Sequence, residues 1–124
     1  MSGPADTRHG ERIDKPWGHE LIWARTDRYV GKILHIRAGE ALSLQYHRVK
    51  DETLLLLSGS LEIALGDSEA ALDTSVLAPG ERVHVWPGRL HRLTARSDCQ
   101  VLEVSTPELD DVVRLADRYG RAGG

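Results

Sequence analysis

GEALSLQYHRVKDETLLLLSG, residues 39–59, is the stretch whose reading decides the fold. From Leu42 to His47 it alternates, with Leu42, Leu44 and Tyr46 on one face of an extended chain and Ser43, Gln45 and His47 on the other. Successive side chains of a strand point to opposite faces, so Gln45 and His47 aim the same way. Glu52 follows at Q-x-H-x4-E spacing, and Gly39 and Gly59 bracket the segment. Leu54 to Leu57 is apolar without a break, which calls for burial on both faces. A further imidazole, His91, lies in the turn-rich PGRLHR. Two imidazoles, a carboxylate and an amide form a mixed N/O donor set that suits one divalent ion (Zn, Mn, Fe, Ni or Co) with positions left open. Gln45, His47, Glu52 and His91 are therefore the candidate metal ligands.

Outward from this segment the chain reads as short strands between turns. Leu21–Ala24 and Tyr29–Ile36 precede it, and Ser60–Leu65 follows the Ser58-Gly59 turn as the expected hairpin partner of the Thr53–Leu57 strand. Arg82–Trp86 and Cys99–Ser105 are further strands, with Ala78-Pro79-Gly80 and Pro87-Gly88 as corners. Many short strands at even spacing predict an all-β sandwich or barrel. Thr106-Pro107-Glu108 has the form of a helix start, and Leu109, Val112, Val113 and Ala116 follow at helical spacing. A short C-terminal helix docked on the barrel is the expectation.

With 124 residues, 40% of them apolar and 28% charged, the chain has the make-up of one globular domain. We expect a mobile segment over residues 1–12, the domain over 13–121 and a loose tail over 122–124. The formal net charge is -3, with both signs interspersed, so neither a nucleic-acid stripe nor a membrane anchor is expected. The single Cys99 rules out an intramolecular disulfide and sits in the apolar run CQVLEV as an inert core thiol. Without an apolar run of spanning length or a signal-type start, a cytoplasmic location is expected.

The pattern G-x5-Q-x-H-x4-E-x6-G over 39–59 resembles the first motif of the cupin superfamily, and GERVHVWPGRLH over 80–91 resembles the second. KPWGHE at 15–20, GEALSLQYHRVKDE at 39–52 and DDVVRLADRYGR at 110–121 are similar to the cupin domain of type II mannose-6-phosphate isomerases. The resemblance implies a jelly-roll β-barrel (a double-stranded β-helix), a divalent metal on the four ligands, and isomerisation of a sugar or sugar phosphate. It also implies a homodimer as the assembly. Guanylyl transfer is not expected, because nothing in the chain resembles a nucleotidyltransferase domain.

Within that reading Glu52 or His84 is the candidate catalytic base, and no nucleophile is expected. Lys32, Trp86 and Arg92 are the candidate substrate-binding residues, and Arg114 and Arg121 are further guanidinium groups able to grip an anion as a fork. The same metal set also suits an oxygenase or lyase acting on another small molecule, or a binder without turnover.

Overall fold

The structure, a computed structural model, describes residues 9–121. Eleven strands make two antiparallel sheets. The strands are β1 (Glu11–Lys15), β2 (Gly18–Arg25), β3 (Val30–Ile36), β4 (Leu44–Tyr46), β5 (Glu52–Ser58) and β6 (Leu61–Gly66). They continue with β7 (Asp73–Leu77), β8 (Arg82–Val85), β9 (Leu90–Ala95), β10 (Cys99–Ser105) and β11 (Val113–Ala116). One sheet has the order β1-β2-β3-β10-β5-β8 and the other β11-β4-β9-β6-β7. This is the all-β sandwich that the turn spacing predicts. Its ladders end at free edges rather than closing into a barrel, so the expected closed barrel is corrected to two facing open sheets.

Alternation fixes which residues face inward. Val30, Leu34 and Ile36 of β3, Leu54 and Leu56 of β5, Leu61 and Ile63 of β6, and Val101 of β10 are all at most 2% exposed. All of these but Val30 join Trp17, Val85, Leu93 and Ala95 in the core cluster between the sheets. Cys99 lies among them, and burial raises its thiol pKa, as an inert core thiol requires.

Three expectations fail for identifiable reasons. β6 does not pair with β5. β5 lies between β10 and β8, whereas β6 lies between β9 and β7, so the Ser58–Ser60 turn carries the chain from one sheet to the other. Gly59 permits this crossing: its φ is +93°, and a Cβ there would lie 2.3 Å from the Asp98 carbonyl oxygen.

The C-terminal helix is also absent. Residues 107–112 make tight turns, and Val113–Ala116 then forms β11 against β4. The backbone edge of β4 needs a ladder partner, and that tertiary demand overrides a helical pattern carrying two adjacent valines. The third correction is at the start, where Glu11 and Arg12 belong to β1 rather than to a mobile segment. Residues 1–8 and 122–124 lie outside the described part. Among the described residues no helix is long and apolar enough to cross a membrane.

Candidate metal centre

His47 follows β4, Glu52 opens β5 and His91 lies on β9, so the two sheets bring the three groups together across the interior. All are at most 4% exposed. One ligand atom from each lies within 4.8 Å of the others. Glu52 Oε1 is 3.4 Å from His47 Nε2 and 3.4 Å from His91 Nε2.

The second nitrogen of each ring explains its aim. His47 Nδ1 donates to the Asp111 carbonyl at 2.5 Å, and His91 Nδ1 donates to the Arg89 carbonyl at 3.0 Å. Each bond fixes a tautomer whose Nε2 lone pair faces the cluster, the arrangement that orients imidazoles toward a metal. The backbone of His47 is held as well, because the Gly88 amide donates to its carbonyl at 2.7 Å. His47 Nε2 is fully buried and has no hydrogen-bond partner. An orphaned imidazole nitrogen facing a carboxylate and a second imidazole fits a divalent ion.

Gln45 is nearby but turned aside. Its Oε1 accepts a 2.7 Å hydrogen bond from the Ser43 hydroxyl, and its Nε2 lies 3.4 Å from His91 Nε2. In this orientation the amide offers N–H groups, not its oxygen, to the cluster. A half-turn of the amide exchanges the two, with the Ser43 hydroxyl then accepting.

The charge around Glu52 is organised by side chains to which the motif reading gives no role. Lys50 Nζ lies 2.9 Å from Glu52 Oε2 and 3.1 Å from Glu103 Oε2, and the Ser105 hydroxyl donates to Glu103 at 3.2 Å. Burial pushes the Glu52 pKa up, but the imidazoles of His47 and His91 and the Lys50 ammonium outweigh it. Its carboxyl is held well below the usual carboxylate range. Burial opposes the Lys50 charge, yet Glu103 and Glu52 raise its pKa above that of a free lysine. The Glu103 pKa, unlike that of Glu52, is raised, by burial and by the neighbouring Glu52 charge. The signal for Glu103 was present in the sequence: a lone acid at an inward register inside the apolar run CQVLEV.

A cavity of about 260 Å³ opens beside the cluster. Its wall includes Lys15, Arg25, Lys32, Arg114 and Arg121, with Glu20 and Asp110 as further acids and Trp17, Leu34 and Leu93 as apolar floor. Lys32 is buried and lies 3.3 Å from Glu20. Arg114 stands opposite Gln45 in the β11–β4 register, and its Nε is buried without a partner.

His84, Trp86 and Arg92 do not line this cavity. His84 is on the outer face of β8, half exposed and bonded to Asp51 at 2.6 Å. Trp86 is 43% exposed, with the Arg89 guanidinium 3.9 Å above its ring. Arg92 follows His91 on β9 and so faces away from the cluster, where it caps the Ala116 carbonyl at 3.0 Å.

Two facing antiparallel sheets with a His/Glu/His cluster between them define a cupin. KdgF from Halomonas sp. superposes with a TM-score of 0.69 at 18% identity, over 81% of this chain and 90% of that one. Oxalate decarboxylase from Bacillus subtilis gives 0.74 at 13% identity, over 86% of this chain and 30% of that one. Both likenesses concern the fold. More narrowly, the chain belongs to the family described as mannose-6-phosphate isomerase C-terminal, which matches residues 3–117.

Mannose-1-phosphate guanylyltransferase of Escherichia coli K12 is 32% identical over 126 residues, covering 94% of this chain and 25% of that protein. Alginate biosynthesis protein AlgA of Pseudomonas aeruginosa is 26% identical over 124 residues, covering 96% and 25%. The chain spans about a quarter of the length of these curated relatives.

Proposed function

We propose that this chain is a divalent-metal-dependent isomerase that interconverts an aldose phosphate and a ketose phosphate of the mannose 6-phosphate type. One observation carries the reading: the His47–Glu52–His91 cluster and a set of cationic side chains open onto the same small cavity. Its volume of about 260 Å³ suits a molecule of monosaccharide size. Membership of the mannose-6-phosphate isomerase C-terminal family supports the choice of substrate class.

A divalent ion held by His47, Glu52 and His91, with Gln45 beside it, supplies Lewis acidity that polarises a substrate carbonyl and its neighbouring hydroxyl. Arg114, whose Nε is buried without a partner, is the guanidinium placed to hold the phosphate as a fork, whereas Arg121 is already forked onto Asp117 and Lys32 is paired with Glu20. The apolar floor of Trp17, Leu34 and Leu93 keeps the sugar ends of the cavity dry and strengthens those charges. The proton must move between adjacent carbons through a cis-enediolate, which needs a base inside the cavity. Glu52 is engaged by the ligand set through Oε1 and by Lys50 through Oε2, and His84 stands outside. We therefore assign the transfer to Glu20, a cavity carboxylate outside the ligand set.

The test is conversion of mannose 6-phosphate to fructose 6-phosphate by protein loaded in turn with Mn, Co, Zn and Ni, with free mannose as control. Turnover of the phosphate ester and not of the free sugar is expected. No interconversion with any of the four metals would remove the isomerase assignment.

A further inference from the structure

Glu52 uses its two oxygens for different purposes. Oε1 lies 3.4 Å from both His47 Nε2 and His91 Nε2, whereas Oε2 lies 2.9 Å from Lys50 Nζ. Lys50 is itself held from behind, 3.1 Å from Glu103 Oε2, and Glu103 accepts the Ser105 hydroxyl. Lys50 precedes β5, while Glu103 and Ser105 lie on β10, so the clamp ties two neighbouring strands together. Lys50, Glu52 and Glu103 are each at most 5% exposed. In that environment an ammonium between two carboxylates is largely withdrawn from solvent, and moving it leaves a buried charge unpaired.

We propose that Lys50, clamped by Glu103, is a positioning residue that commits Glu52 to the ion through Oε1 alone. A carboxylate free to rotate can meet a cation with one oxygen or with both. With Oε2 taken by Lys50, Glu52 would offer a bound ion a single oxygen and leave more of its coordination to other donors. Partners beyond the ligands characteristically set ligand orientation and affinity in metal sites. This inference rests on the metal-centre reading above, and the test separates the two.

The probe is cobalt(II), followed by its visible spectrum, by equilibrium binding and by a crystal structure of the loaded protein. Wild-type protein is expected to bind one equivalent with Glu52 monodentate and Oε2 on Lys50. Lys50→Met alone strands two buried carboxylates, so the variant to use pairs it with Glu103→Gln. That double variant is expected to fold, to shift the cobalt spectrum as Glu52 engages through both oxygens, and to change affinity about 10- to 100-fold. A folded double variant with wild-type spectrum and affinity would overturn the positioning role and leave the metal reading standing. Bidentate Glu52 in the loaded wild-type crystal would overturn it with no variant needed, so the proposal stays testable if the double variant does not fold. Wild-type protein that takes up no stoichiometric cobalt would sink the metal reading and this inference with it.

Discussion

The two ends of the interior are built from the same strands and do opposite things. Along β3 the inward positions run Lys32, Leu34, Ile36, and along β5 they run Glu52, Leu54, Leu56. On β9 they run His91, Leu93, Ala95, and on the antiparallel β10 they run back as Glu103, Val101, Cys99. Each strand thus changes from charged or imidazole chemistry to hydrocarbon within three inward steps, all of it buried. The apolar end supplies the surface removed from water that holds the sheets together. At the other end the groups are desolvated, oriented and tied to one another. A single strand period serves both ends, so burial by itself does not reveal which end a residue belongs to.

The sharpest way to break the comparison is to damage one end and read the other. Leu56→Ala removes a side chain that is 1% exposed and leaves a cavity among rigid neighbours. The expected loss is about 2–5 kcal/mol of folding stability, measured by denaturant unfolding. Cobalt binding by the fraction that remains folded should be unchanged. Weakened binding in folded Leu56→Ala protein would mean that the two ends are mechanically coupled.

His91→Ala is the converse. It removes a proposed ligand and one neighbour of Glu52. Ion affinity should fall by more than the about 100-fold that outer partners control. The metal-free protein should unfold within about 1 kcal/mol of wild type, because most of the apolar core is untouched. Retention of tight, stoichiometric binding would remove His91 from the ligand set.

How much of this was legible in the chain follows from which interactions are local. The Q-x-H-x4-E spacing and the second-motif His91 were readable, because a strand period and a short loop fix where those side chains point. The all-β architecture was readable from turn chemistry for the same reason. The partner of β6 was not, since Gly59 permits a hairpin and a crossing between sheets equally well. The C-terminal strand was not, because its cause is the unpaired edge of β4, far away in sequence. Glu103 shows in the sequence as a lone acid in an apolar run. Lys50, in the charged stretch HRVKDE, carries no local sign that it is buried, and the pairing of the two depends on the β5–β10 register. The sequence puts His84 on a strand but does not show which face it takes; its place opposite Thr53 on β8 puts it outside.

Asp111 gives a smaller effect that also probes the polar end. Its carboxylate accepts backbone N–H groups of Lys50, Val49 and Arg48, which hold its pKa down to about 2. A carboxyl depressed in the folded state stabilises above its unfolded value of about 3.9, and that contribution is lost as pH falls through about 2. Asp111→Asn should cost about 1 kcal/mol at neutral pH, the magnitude of a lost cap at a solvent-accessible site. It should also flatten the stability profile between about pH 4 and pH 2. The Asp111 main-chain carbonyl that orients His47 survives the substitution, so ion affinity should change far less than in His91→Ala. An unchanged acid limb in thermal melts would show that the carboxylate does not hold the 48–50 loop in solution.

The smallest effect is expected where the sequence suggested chemistry and the fold withholds it. His84 is half exposed on the outer face of β8, bonded to Asp51 and edge-on to Trp86 at 5.7 Å between ring centroids. It shares no wall with the cluster. His84→Ala should therefore alter stability by no more than about 0.5 kcal/mol, as for other surface positions. Turnover and metal content should match wild type. A variant with full metal content and a collapsed turnover at saturating substrate would bring His84 back as the base.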